Sequence, residues 1–205
     1  MKILALELSS SLGSIAWTDE AAEPFSTTFA NDRKHSGLFF ENLQRCLTQF
    51  GNPEVIVVGL GPGSYAGTRI AIATAIGLEA ATSARVLGLP SICAIDSDAE
   101  AYGVIGDARR QTFFFLEVRD RHCVNDAILL TESELNERLP PFAGPVFTTE
   151  PLPAFPRAIV SRPSALLLAQ LAQRPPEGSL GAPLEPIYLR EPHITKAKVP
   201  LSIAT

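Results

Sequence analysis

The sequence predicts a two-lobed α/β fold, and three observations predict it. An order of three strands, helix, strand, helix is legible in the first half and recurs more weakly in the second. A β-branched strand, Glu54-Val55-Ile56-Val57-Val58, runs into a glycine-rich turn and then a long apolar helix. Hydrophobic residues make up 46% of the 205, enough to bury a real core and to exclude disorder.

The elements follow in order. Lys2 to Leu8 is a nearly continuous apolar run, Gly13 to Thr18 a second apolar segment after a Ser-rich turn, and Phe25 to Phe29 a third, which together predict a three-strand meander. Leu38, Phe39, Leu43, Cys46, Leu47 and Phe50 recur at helical spacing, with Ser36 as N-cap and Gly51 as the stop. The strand ending at Val58 and the turn Gly59 to Gly67 lead to a helix from Thr68 to about Ala84, then a strand over Val86 to Leu89. In the second half Tyr102 to Gly106, Gln111 to Val118 and His122 to Leu130 read as strands, and Glu132 to Arg138 as a short helix capped by Thr131. Val146 to Thr148 and Ala158 to Val160 offer short strands, and Pro163 to Gln173 a last helix with Pro163 in its first turn. Two such units in tandem are the arrangement of the duplicated actin-like (ribonuclease H-like) fold, mixed sheets flanked by helices in two lobes that face a cleft. The expected division is a first lobe over 1–98, a smaller degenerate lobe over 99–190 and a tail over 191–205, with Arg174 to Pro186 as a linker to that tail.

Charge and composition narrow the function. Formal net charge is −5, and basic residues cluster no further than Arg33-Lys34 and Arg109-Arg110, so the electrostatic footprint of a nucleic-acid binder is missing. Met1 to Glu7 carries one positive charge and a short apolar run, which reads as a strand and not as a signal peptide. The apolar stretch Ile70 to Ala81 is shorter than a bilayer span, so no membrane role is expected. Cys46, Cys93 and Cys123 form no C-x-x-C pair, which argues against a disulfide framework or a cysteine zinc site and fits a reducing cytoplasm.

Within the glycine-rich segment, Gly61, Gly63, Ser64 and Gly67 place backbone N–H groups at a helix N-terminus, a geometry that suits an anion; a tight strand-to-helix turn explains them equally well. Dinucleotide binding is disfavoured, because Leu87-Gly88-Leu89-Pro90 stands where the following strand should end in an acid. A phosphate-binding P-loop fails as well, since Thr68-Arg69 occurs in place of Lys-Ser or Lys-Thr. Ser64 lies outside a G-x-S-x-G elbow and reads as a helix cap. His35, His122 and His193 are scattered, and Phe39 occupies the position four after His35, so no helical histidine pair forms there. Asp107-Ala108-Arg109-Arg110 sits in the second lobe's first hairpin, where bulky side chains obstruct the close backbone approach that a phosphate needs. No metal and no cofactor is therefore expected.

The helix from Thr68 is apolar around nearly its whole circumference. It is either sandwiched inside its own lobe or packs one face on the sheet while Ala73, Gly77 and Ala80 meet another protein. The helix Leu38 to Phe50 adds Phe39, Phe40 and Phe50, more aromatic surface than one sheet contact needs.

Ile3-Leu4-Ala5-Leu6-Glu7-Leu8-Ser9, His35-Ser36-Gly37, Gly61-Pro62-Gly63-Ser64-Tyr65-Ala66-Gly67-Thr68-Arg69-Ile70-Ala71, Asp107-Ala108-Arg109-Arg110 and Pro186-Ile187-Tyr188-Leu189-Arg190 together resemble the bacterial TsaB (YeaZ) family. Its motifs are an I-L-A-x-D-T-S strand, H-S-E, G-P-G-S-F/Y-T-G-L-R-I-G, D-A-R-R and a P-x-Y-L-R ending. Here Glu7 replaces the acid Asp, Gly37 replaces the Glu after His35-Ser36, and the second lobe is short. The resemblance implies a noncatalytic subunit that binds the catalytic subunit TsaD, with the ATPase TsaE joining, for threonylcarbamoyl transfer to an adenosine of tRNA, and a homodimer when TsaD is absent. It implies that tRNA is touched only indirectly. It also implies a partner surface on the first two helices: His35, Phe39, Leu43 and Cys46 on the first, with Arg69, Ile72, Ala73, Ile76, Gly77 and Ala80 on the second. Glu7, Ser9, Asp107 and Arg109 would line a degenerate cleft. The competing expectation is an active actin-like small-molecule kinase or hydrolase in which Glu7, Ser9 and Asp107 do the chemistry; a homodimeric regulator is a third.

Overall fold

A computed structural model describes residues 1–31, 36–175 and 183–190. His35, part of the expected linker and the whole expected tail 191–205 lie outside the described residues.

The first sheet comprises β1 (Ile3–Glu7), β2 (Leu12–Asp19), β3 (Ala22–Ala30), β4 (Val55–Gly59) and β5 (Arg85–Leu89), in the order β3-β2-β1-β4-β5. The β1–β2 and β2–β3 pairs are antiparallel, whereas β1–β4 and β4–β5 are parallel. All five residues of β1 and of β4 are buried, which is why these strands read as unbroken apolar runs with no alternation. Period-two geometry then divides them. Leu4, Leu6, Ile56 and Val58 face a core closed by α1 (Gly37–Phe50) and α2 (Tyr65–Thr82), while Ile3, Ala5, Val55 and Val57 face the other side.

The second sheet is built from β6 (Ala101–Asp107), β7 (Thr112–Arg119), β8 (His122–Cys123), β9 (Ile128–Thr131), β10 (Val146–Thr148) and β11 (Ile159–Val160). Its order, β11-β10-β6-β7-β8 with β9 also on β7, repeats the first sheet: antiparallel pairs on one side of β6 and parallel pairs on the other. This is the duplicated actin-like fold expected from the sequence. The expected strand His122 to Leu130 is broken between β8 and β9. Helix α3 (Glu132–Arg138) packs on β7 and β9 and begins with a capping box, Thr131 Oγ1 accepting from the Glu134 N–H while the Glu134 carboxylate accepts from the Thr131 N–H.

Helix α4 (Ala165–Ala172) follows the second sheet's last strand in sequence but packs on β1, β2 and β4 of the first. Ala165, Leu168, Ala169 and Ala172 form its buried face, and small residues let it lie close to the strands. The Ala165 N–H donates to Ser14 Oγ at 2.9 Å, fixing its start. The cap position is Ser164, so Pro163 precedes the helix and does not occupy its first turn. A 3₁₀ turn, Ser91–Ala94, joins the two sheets.

Candidate functional site

A cleft of about 780 Å³ lies between the sheets. Its first-lobe wall is the end of β1 and the glycine-rich turn, with Ser9, Ser10, Ser11, Gly63, Ser64 and Thr68 among its residues; the second-lobe wall includes Asp107, Arg109, Arg110 and Glu150.

The glycine-rich turn serves its own chain. A Cβ at position 63 would stand 2.1 Å from the Ser9 carbonyl oxygen and one at position 67 would stand 2.1 Å from that of Leu8, so glycine at both is demanded by the close passage of β1's end. The Ser64 N–H donates to the Ser9 carbonyl at 2.6 Å, the Gly61 N–H to Ser91 Oγ at 2.9 Å, the Gly67 N–H to Ser64 Oγ at 3.2 Å and the Thr68 N–H to the Ser64 carbonyl at 3.0 Å. These four donors are already occupied, and Ser64 is a helix cap as expected.

The facing hairpin is similarly self-satisfied. Arg109, Arg110 and Gln111 are three successive non-glycine residues in the left-handed region, with φ of 69°, 53° and 59°. Asp107 anchors the first of them: its carboxylate accepts from the Arg109 N–H at 2.6 Å and pairs with the Arg109 guanidinium at 3.1 Å. The segment Pro186 to Arg190 spans the cleft. Ile187 N–H donates to the Leu60 carbonyl at 2.8 Å, Tyr188 accepts from Arg69 Nε at 3.1 Å and packs on Tyr65, and Arg190 donates to Thr112 Oγ1 of the second lobe.

The outer face of the α1–α2 pair is the second candidate. Leu38 is 43% exposed, Phe40 48% and Ile76 47%. Ala73, Gly77 and Ala80 are exposed beside Ile76 on the same helix. Helix α2 is therefore not sandwiched within its own lobe; one side, Thr68, Ala71, Ile72 and Ala75, is buried, and the other is apolar and open. Phe40, Leu43, Gln44, Leu47 and Thr48 border a shallow depression on α1.

Two solved structures from Pseudomonas aeruginosa share this architecture, each covered over 99% of its length by 92% of this chain. One, described as an uncharacterized protein with similarity to peptidase YeaZ, has a TM-score of 0.71 at 25% identity. The other is YeaZ, with a TM-score of 0.70 at 24% identity. No family model matches the chain. An uncharacterized protein of Mycobacterium tuberculosis is 32% identical over 167 residues, 74% of this chain and 69% of that protein, and a Mycobacterium bovis protein matches equally. The chain belongs to the TsaB (YeaZ) family.

Within this TsaB-family chain the expected site residues separate by burial. Phe39, Leu43, Cys46 and Ile72, expected at a partner surface, are buried in the first core, Phe39 against Phe29 and the others beneath the two helices, because they are the inward stripe that holds α1 and α2 on the sheet. The other two aromatics of α1 divide as well: Phe50 stacks on Trp17 with ring centres 5.4 Å apart, and only Phe40 turns outward. Arg69 lies on the exposed face, its guanidinium over the Tyr65 ring at 4.5 Å and bonded to Tyr188. Sequence reasoning assigned Tyr65, Tyr188 and Leu38 to no site; the first two stand in the G-P-G-S-Y and P-I-Y-L-R motifs, whose meeting in space no spacing rule supplies.

Glu7 corrects the expected cleft. Ser9, Asp107 and Arg109 line it, but Glu7 does not; it is fully buried, with Oε1 accepting from the Ser9 N–H at 2.6 Å and Oε2 unpartnered. Burial pushes its carboxyl above the ordinary carboxylate value, with Ser9 and Ser91 acting in the opposite sense. The longer side chain packs against Gly59 and Ser91, where a Cβ on residue 59 would meet Oε2. Among the described residues no three His, Cys, Asp or Glu side chains gather as a metal site.

Proposed function

We propose that this chain is a noncatalytic scaffold subunit of the tRNA threonylcarbamoyladenosine-forming complex, binding and positioning the catalytic TsaD subunit through the outer face of α1 and α2. The observation that carries this reading is exposed apolar surface on both helices: Leu38 and Phe40 on α1, and on α2 a strip of Ile76 with the small residues Ala73, Gly77 and Ala80. Small residues allow a partner helix to approach closely, and the neighbouring large ones supply the apolar area. In this reading TsaE joins the TsaB–TsaD pair in the cytoplasm, the same strip closes a homodimer when TsaD is absent, and the acidic chain leaves tRNA to its partners.

The reading of the chain as a kinase or hydrolase finds less support. Glu7 is walled off from the cleft, and Asp107 is engaged in holding its own hairpin. Glu7 is therefore not presented to the cleft, and Asp107 reaches it only with its carboxylate already paired to Arg109.

The test is copurification with TsaD from the same organism. Ala73→Asp, on the exposed face, should leave the chain folded and abolish the complex, because it buries an unpaired carboxylate at the contact; a variant that still copurifies undiminished overturns the surface. Mixing the chain with TsaD and TsaE should restore threonylcarbamoyladenosine formation on tRNA, and calorimetry should find no Mg-ATP turnover by the chain alone.

A further inference from the structure

Two thiols that lie 30 residues apart in sequence meet in space: Cys93 Sγ and Cys123 Sγ are 3.5 Å from each other. Cys93 sits in the 3₁₀ turn that joins the two sheets, and Cys123 ends β8 at the border of the second sheet. The two segments are clamped by Arg121, which lies in the β7–β8 turn two residues before Cys123 and whose guanidinium donates to the Ile95 carbonyl at 2.6 Å and also to that of Ser97. The sulfurs are therefore held together by the fold and do not meet by chance motion of loose ends. They differ in access: Cys93 is 3% exposed within the core of the second lobe, whereas Cys123 is half-buried at its margin. The third cysteine, Cys46, lies in the other lobe beneath α1 and is fully buried.

We propose that Cys93 and Cys123 are a redox modification site, closing to an intrachain disulfide when a peroxide oxidises the chain and reopening when a thiol reductant is supplied. Cys123 is the attacking sulfur. It is the more accessible of the two, and the sulfur–sulfur contact holds its thiol below the ordinary value, while the same contact and burial hold that of Cys93 above. The Cys123 thiolate attacks one peroxide oxygen, the O–O bond breaks and the departing hydroxide takes a proton to become water, leaving Cys123 as a sulfenic acid. Cys93 then attacks that sulfur; the S–O bond breaks, hydroxide leaves and takes up the Cys93 proton, and the disulfide forms. Two thiols are oxidised by two electrons in all, and one peroxide is reduced to two waters. The new bond ties the crossing segment to β8. Ser91, two residues before Cys93, exchanges hydrogen bonds with Gly61, its N–H to the Gly61 carbonyl at 2.8 Å and its Oγ from the Gly61 N–H, so the tethered segment is the one that supports the glycine-rich turn.

The experiment treats the full chain with hydrogen peroxide, blocks remaining thiols and digests with trypsin without reduction. The expected result is a linked pair of peptides, 86–109 and 122–138, loss of two of the three titratable thiols with Cys46 retained, and an intact mass lower by two hydrogens. Dithiothreitol should reverse all three, and the oxidised chain should melt at a higher temperature than the reduced one. Cys46→Ala should leave the linkage unchanged. Cys93→Ser should strand Cys123 as a sulfenic acid that dimedone captures, and Cys123→Ser should leave Cys93 reduced. Both thiols still free after peroxide, Cys123 oxidised past the sulfenic acid with no linked peptide, or a link only between two chains would each overturn the proposal.

Discussion

Gly77→Ala should change folding and docking in opposite directions. Gly77 is inside α2, and a Cβ there would meet nothing within 4 Å. Glycine in a helix interior is worse than alanine by about 1 kcal/mol, because it surrenders more backbone freedom on folding. With open space around the new methyl, that gain should appear almost whole, raising the melting temperature by about 2–4 °C for a chain of this size. Under the proposed docking the same methyl projects into the surface that a partner helix approaches. Overfilling a packed contact costs about 1–3 kcal/mol, which weakens TsaD binding by roughly 5- to 150-fold. Thermal unfolding is to be followed by circular dichroism, at concentrations where light scattering finds a monomer, and affinity by titration calorimetry. A more stable variant that binds TsaD as well as the parent would remove Gly77 from the contact. A lower melting temperature would refute the open helix face itself.

Three further outcomes are expected. Because burial holds the Glu7 carboxyl above its reference value of 4.5, the folded chain keeps a proton that the unfolded chain releases; stability due to this group is present below about that pH and falls as pH rises toward the folded value. Glu7→Gln removes that loss, so urea midpoints of variant and parent should diverge in the variant's favour with rising pH, and parallel profiles would show that Glu7 does not titrate differently in the two states. Gly67→Ala puts a methyl 2.1 Å from the Leu8 carbonyl oxygen, a backbone clash with no rotamer to relieve it, and should lower stability by roughly 1–3 kcal/mol or prevent folding, read by urea denaturation. Thr131→Ala dismantles the capping box of a seven-residue helix and should cost about 1 kcal/mol in the same assay, with Thr131→Ser recovering most of it.

Much of the architecture is written in local pattern. The unbroken apolar runs of β1 and β4, the stripe of α1 ending at Gly51 and the capping box at Thr131 each depend on residues near one another in the chain, and the repeated order of elements is enough to predict the duplicated fold. The motif from Gly61 to Ala71 likewise marks the family. Burial and pairing across long separations were decided only by the tertiary structure. Periodicity marks Phe39, Phe40 and Phe50 alike as apolar, but only the packed sheet shows Phe39 and Phe50 turned inward and Phe40 left outside. A carboxylate at position 7 reads as a cleft acid until the close approach of Gly59 and Ser91 walls it off. The return of α4 to the first sheet and the meeting of Cys93 with Cys123 have no local signature at all, because they arise where segments distant in the chain compete for the same apolar surface.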